Sequence, residues 1–175
     1  MAQNHQDMPC EAYTLDIYRA RAPHPSRREG GLRIHGAPTP QDSADEPLIS
    51  IVTVVYNAAG TLERAIRSVI EQNYMNAEYI IVDGGSTDGT LEIIRKYEDR
   101  IAYWVSEPDS GIFDAMNKGV ALARGAYIAL LNADDFYPPD ALERVAETAR
   151  RTECDVVYGD YIFVAEDVQL QGLVR

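Results

Sequence analysis

The sequence predicts an α/β fold, a mainly parallel sheet with helices on both faces. Three observations predict it. From Leu48 onward, apolar runs of strand length alternate with segments of helical period. The strand runs are continuous and rich in β-branched residues, as suits strands buried on both faces. Polar or acidic residues follow four of those runs, at Tyr56-Asn57, Asp83, Glu107 and Asp134-Asp135, and parallel sheets bind their ligands at the carboxyl ends of their strands.

The elements follow in order. Leu48–Val55 reads as the first strand, and Ala59–Gln72 as a helix from the spacing of Leu62, Ala65, Ile66, Val69 and Ile70. Tyr79–Asp83 and Thr90–Tyr97 form a second strand and helix, and Ile101–Ser106 a third strand. Asp114–Arg124 is helical by Ala115, Met116, Val120, Ala121 and Leu122, and Gly125 ends it. Gly125–Leu131 is the fourth strand, Pro139–Arg151 a helix opening after Pro138, and Asp155–Tyr161 a fifth strand.

The chain's 175 residues suffice for one domain with a substantial core, residues 48–175, preceded by an extension over residues 1–47. Six of the nine prolines fall in that extension, which has no sustained apolar period. It is expected to lack order, apart from a short amphipathic turn around Tyr13–Arg21. No apolar run approaches the length needed to span a bilayer, and the N-terminus lacks the layout of a signal peptide, so a cytoplasmic location is expected. Cys10 and Cys154 are far apart and suggest neither a disulfide nor a metal site.

From Leu48 onward there are 11 basic and 21 acidic side chains, against 5 and 7 in residues 1–47. So acidic a domain excludes nucleic acid as a partner. A phosphorylated small molecule would need a cation, helix N-termini or the few basic groups to be held. The arginines between Arg19 and Arg33 read as solvating an unordered segment. A second reading, attraction to anionic lipid, leaves peripheral association at the inner face of a membrane open.

Two loops carry candidate chemistry. In Leu130–Tyr137 (LLNADDFY), the paired carboxylates Asp134 and Asp135 follow a strand, and a divalent cation would relieve their repulsion. The alternative is a turn and helix start. In Tyr79–Thr90 (YIIVDGGSTDGT), Asp83 ends a strand and a glycine pair lets the main chain approach a ligand. The alternative there is a strand-to-helix loop capped by Ser86 or Asp88. Tyr103 and Trp104 read as packing residues, and Phe136 and Tyr137 either border the ligand or cover the sheet end. His5, His24 and His35 all lie in the extension, so none is a candidate for catalysis.

Four ordered segments, ISIVTVVYNAAGTLERAIRSV, VDGGSTDGT, SEPDSGIFDAMNKG and LLNADD, resemble the family 2 glycosyltransferases over roughly Leu48–Asp160. Those enzymes have the Rossmann-like GT-A fold and invert the anomeric centre. The similarity is greatest to the branch that builds bacterial polysaccharides and glycolipids. It implies a nucleotide-diphospho-sugar donor, UDP-linked by expectation, a carbohydrate or glycolipid acceptor, and Mg²⁺ or Mn²⁺. By the same resemblance, Val55, Tyr56 and Asn57 pack round the base, and Asp83 binds it. Asp109–Lys118 borders the donor, with Asp114, Asn117 and Lys118 nearest ribose and diphosphate. The family's acid-any-acid triplet falls on Asn132, Ala133 and Asp134, where Asp134 keeps the metal ligand and Asn132 replaces an acid by an amide. Asp135 is placed to support that ligand or to contact the sugar.

The catalytic base is not assigned. In the family it lies past the VYGD strand, so the chain is expected to hold a donor half and to lack a normal acceptor half. Glu166 and Asp167 read as a solvated turn. The competing class is a module that holds a nucleotide-sugar without turning it over. A dinucleotide-binding domain is disfavoured because no GxGxxG follows the first strand. A nucleotidyltransferase is disfavoured because Tyr56-Asn57-Ala58-Ala59-Gly60 stands where it would carry a basic, glycine-rich loop.

Overall fold

The computed structural model describes residue 18 and residues 22–38, 40–43, 45–160 and 162–164. The elements are β1 (Arg28–Gly30), β2 (Ile49–Val55), α1 (Leu62–Ile70), β3 (Ala77–Asp83), α2 (Thr90–Lys96), β4 (Tyr103–Ser106), α3 (Ile112–Leu122), β5 (Tyr127–Asn132) and α4 (Ala141–Thr152). Sheet order is β1-β4-β3-β2-β5. The strands β4, β3, β2 and β5 run parallel, and β1 joins the β4 edge antiparallel. After β4 the chain returns across the sheet to place β5 on the far side of β2. That reversal leaves a crevice at the carboxyl end of β2.

All seven residues of β2 are buried, yet their side chains divide by the two-residue period of a strand. Ile49, Ile51 and Val55 pack with Leu62, Ala65, Ile66 and Val69 of α1, Leu91 and Ile94 of α2, and Leu142 and Ala146 of α4. Val52 and Val54 point to the opposite face, with Ile80, Val82 and Val105, against Ala115 and Met116 of α3. Burying an aliphatic side chain of this size contributes about 1.5–3 kcal/mol, so two faces account for the continuous apolar run. Trp104 and Tyr103 enter opposite clusters as core residues.

Gly119 lets α3 lie close to the sheet. A Cβ there would stand 2.2 Å from Val52 Cγ1 and 3.4 Å from Val82 Cγ2. Gly119→Ala should therefore cost about 1–3 kcal/mol through overpacking, outweighing the gain in helix propensity. Urea denaturation reads the loss, and equal or higher stability would show that the helix moves away freely.

Two expectations change. The described part of residues 1–47 is not a loose tail: β1 pairs Arg28 with Ser106 and Gly30 with Trp104, and Leu32 and Arg33 donate backbone N–H groups to Ile101 and Ala102 at 3.0 and 2.9 Å. The physical reason is charge pairing rather than apolar burial. The Arg33 guanidinium reaches the fully buried Glu78 carboxylate and donates to Leu122 O at 2.9 Å. Ser50 Oγ and the Arg124 N–H complete the shell of Glu78, at 2.6 and 2.7 Å.

The strand expected over Asp155–Tyr161 is absent from 155–160. Val156 and Tyr158 are exposed there, so the segment buries no apolar face, and it pairs with no strand of the described sheet. Cys10, His5, Tyr161, Glu166, Asp167 and the turn expected around Tyr13–Arg21, except Tyr18, lie outside the described residues.

Candidate functional site

The carboxyl ends of β2, β3, β4 and β5 meet at one rim. Val55 stands opposite Asp83, Asp83 opposite Ser106, and Val54 opposite Asn132. A cleft of about 810 Å³ opens there. Val54, Val55, Tyr56 and Ala58 line it from the end of β2, and Gly84 from the end of β3. Pro108, Asp109, Gly111, Ile112 and Ala115 close a second side, and Asn132, Ala133 and Asp134 a third. Tyr56 and Ile112 are exposed, so the mouth offers apolar surface beside carboxylates.

The loops after β2 and β3 are stitched together by the very residues that read as turn formers. Asn57, in a left-handed conformation at φ 49°, receives the Thr87 N–H on Oδ1 at 2.9 Å and donates its own N–H to Ser86 Oγ at 2.7 Å. Ala58 N–H donates to Thr90 Oγ1 and Ala59 N–H to Asp88 Oδ2, both at 3.0 Å. Asp88 also accepts from the Thr90 hydroxyl and N–H just ahead of α2, and these bonds lower its pKa, with the hydroxyl contributing most. Such a cradle is rigid before any ligand arrives.

Asp83 ends β3 at this rim, and its carboxylate is enclosed by its neighbours. Its carboxylate is 0% exposed and accepts from the Ser86 N–H at 3.1 and 3.2 Å, from the Ser86 hydroxyl, and from the Ser106 hydroxyl at 2.6 Å. It ties the ends of β3 and β4 together from below the cleft floor. Lys118 is likewise engaged, in a buried ion pair with Glu107 at 2.7 Å, and is not a lining residue. Burial raises the Glu107 pKa, but Lys118 and the His24 N–H outweigh it and hold the group below its usual value.

Asp114 and Asn117 are half-buried on α3, and Asp114 accepts from the Tyr18 hydroxyl at 2.8 Å and the Ser110 N–H at 3.0 Å. The Asn132-Ala133-Asp134-Asp135 loop follows β5 directly. Asn132 Nδ2 donates weakly to Asp135 Oδ2 at 3.3 Å, while the carboxylates of Asp134 and Asp135 are exposed. Arg64 fixes this loop, donating to Asp134 O at 3.1 Å and lying 4.4 Å from the centroid of the Phe136 ring. Tyr137 packs on the core, where burial first and Asp135 second raise its pKa to about 12.

Among the described residues no three His, Cys, Asp or Glu side chains are grouped to cage an ion. A single exposed carboxylate at a cleft suits Mg²⁺ or Mn²⁺ all the same, since such ions take one or two protein carboxylates and fill the remaining positions with phosphate oxygens and water. Asp134 fits that role, and Asp135 is its neighbour. Arg64 is the contributor that sequence reasoning did not single out, because only the folded loops bring it to the rim.

The model for glycosyl transferase family 2 matches residues 50–174. The chain belongs to this family. Among family 2 relatives, TuaG of Bacillus subtilis strain 168, a glycosyltransferase ascribed to teichuronic acid biosynthesis, is 38% identical over 125 residues. The match takes in 70% of this chain and 50% of TuaG, so the chain spans half the length of that relative. Staphylococcus aureus TarS 1-349, solved with UDP-GlcNAc, has a TM-score of 0.56 at 22% identity, over 61% of this chain and 32% of that one. The mannosyltransferase PcManGT of Pyrobaculum calidifontis, solved with GDP-Man and Mn²⁺, has a TM-score of 0.53 at 23% identity, over 80% of this chain and 39% of that one. The fold shared with these solved structures is GT-A, as the resemblance implied.

Proposed function

We propose that the cleft binds a nucleotide-diphospho-sugar, a UDP-sugar by first expectation, and that the enzyme transfers the sugar with inversion to a hydroxyl of a carbohydrate or glycolipid. The observation that carries this reading is the meeting of four strand ends at a preorganised cleft, with the exposed Asp134 carboxylate on its wall. Tyr56 offers a ring for the base, and the Val55-Tyr56-Asn57 backbone shapes the turn beneath it. Asn132 supplies an amide for a ribose hydroxyl. Asp114 and Asn117 border the same side from α3, and Asp135 supports Asp134 or meets the sugar.

Asp134 would hold Mg²⁺ or Mn²⁺, which when bound neutralises charge on the departing diphosphate. The protein's own contribution is position: the acceptor oxygen must approach the anomeric carbon opposite the diphosphate, form one bond as the other breaks, and lose its proton to a carboxylate. The acidic surface makes a cation more necessary here than in a basic site. Lys118, neutralised by Glu107, acts through the packing of α3 rather than as a phosphate ligand.

Calorimetric titration with UDP-GlcNAc and GDP-mannose, each with and without Mn²⁺, tests the reading, followed by assay of nucleoside diphosphate release with and without sugar acceptors. Binding strengthened by Mn²⁺ and acceptor-dependent release are the expected results. Binding without release would leave a nucleotide-sugar module, and no binding to any nucleotide-sugar would remove the proposal.

A further inference from the structure

We propose that Tyr18 is a positioning residue for the donor cleft: its hydroxyl, bonded to Asp114, fixes the first turn of α3 and the wall of the cleft that this turn carries. The inference rests on the nucleotide-sugar reading above. Tyr18 precedes residues 50–174, the span that the family model matches, so the contact is made from outside the segment this chain shares with its family.

The register of β1 brings the first 47 residues to the cleft. Because β1 runs antiparallel to β4, its first residue, Arg28, stands opposite Ser106 at the carboxyl end of β4. The chain just ahead of Arg28 therefore passes the rim where the strand ends meet. A turn leads into β1, with Pro25 fixing its first corner and the Arg27 N–H donating to His24 O at 2.9 Å. The His24 N–H donates to Glu107 Oε2 at 3.1 Å, and Glu107 pairs with Lys118 of α3. The Tyr18 hydroxyl donates to Asp114 Oδ1 at 2.8 Å. Asp114 and Lys118 stand on one face of α3, one turn apart. The extension thus grips this helix directly at Asp114 and through Glu107 at Lys118.

The first turn of α3 depends on such a tether. Its N-cap is Gly111, at φ 105°, which offers no side chain to cap the helix. Asp114 reaches back instead and accepts the Ser110 N–H on Oδ2 at 3.0 Å. A carboxylate held by Tyr18 at one oxygen therefore holds the preceding loop with the other. Gly111, Ile112 and Ala115 of the same segment line the cleft. Without the phenol hydroxyl the carboxylate is free to turn, and ordering the wall then weakens donor binding. Hydrogen bonds to an ionised acceptor are among the stronger ones, which sets the expected loss at about tenfold.

The test is calorimetric titration of the full chain with UDP-GlcNAc and GDP-mannose in Mn²⁺, for the wild type, Tyr18→Phe, Asp114→Ala and the double variant. Thermal melting of each and hydrogen exchange of the ligand-free protein accompany it. Tyr18→Phe should bind about tenfold more weakly, melt much as the wild type does and exchange its Ser110 amide severalfold faster. The double variant should bind no more weakly than Asp114→Ala, because Tyr18 acts through that carboxylate. A tyrosine that serves stability alone would lower the melting midpoint and leave affinity at the wild-type value, which overturns the proposal while the nucleotide-sugar reading stands. Losses that add in the double variant overturn it as well. Should Asp114→Ala fail to fold, the Ser110 amide of Tyr18→Phe decides, and an unchanged exchange rate there sinks the assignment. If the wild type binds neither nucleotide-sugar, that reading fails and takes the role of Tyr18 with it.

Discussion

Asp134→Ala should lose on the order of a hundredfold in Mn²⁺-dependent affinity for a nucleoside diphosphate, while its affinity in EDTA matches that of the wild type. Changing a group that merely orients a metal ligand costs about 10–100-fold, and Asp134 is proposed as the ligand itself. The change should be nearly silent in stability. Its side chain is exposed, and the loop is held through the Asp134 backbone oxygen by Arg64, a contact that survives truncation to Ala. Surface changes of this kind stay within about 0.5 kcal/mol. Titration in Mn²⁺ and in EDTA, with thermal melting alongside, measures both. Undiminished Mn²⁺ dependence in Asp134→Ala would refute the metal assignment, and the same loss in Asp135→Ala with Asp134→Ala unaffected would move it by one residue.

Arg33→Met should destabilise the domain by about 3–5 kcal/mol, since removing one member of a buried ion pair leaves the other without its counter-charge. Glu78 is fully buried in β3, and Ser50 Oγ and the Arg124 N–H both donate to its Oε1, so Arg33 supplies the counter-charge and the partner of Oε2. For a domain whose total stability is of order 5–15 kcal/mol, such a loss is large. The double variant Arg33→Met with Glu78→Gln should recover much of it, because the uncompensated charge is then gone. Urea unfolding of wild type, single and double variants closes the cycle. A single variant within 1 kcal/mol of wild type would mean that Glu78 is satisfied without Arg33.

The fold was legible in the sequence wherever apolar period and turn chemistry agreed. The run Ile49–Val55 and the helical spacing of Leu62, Ala65, Ile66 and Val69 each point to one local structure and find it, whereas α3 ends at Leu122 with an extended Ala123, ahead of the expected stop at Gly125. Val156 and Tyr158 show the limit. Their composition suits a strand, but a strand needs a partner ladder, and no single segment carries that information. The same limit hid β1, a three-residue edge whose order comes from β4 and from the Arg33–Glu78 pair.

At the site, the acids that end strands were visible as a pattern, and the strands do bring them to one rim. Their accessibility was not visible. Asp83 and Asp109 look equally available in a string of letters, yet two serines seal the first beneath the floor and the absence of a Cβ at Gly84 admits the second. Lys118, which the resemblance puts nearest ribose and diphosphate, is half of a buried pair with Glu107.

What the sequence determined by itself was therefore the α/β class, the order of the parallel strands' segments and the end of the sheet at which polar groups collect. These follow from periods of two and 3.6 residues, which act over a few neighbours. The tertiary structure alone decided which carboxylates face the cleft, which are locked away, and that an arginine from the first 47 residues neutralises a glutamate in the sheet. Hydrogen bonding and desolvation depend on what stands within a few ångströms in space, and residues such as Arg33 and Glu78 reach that distance only once the chain has folded.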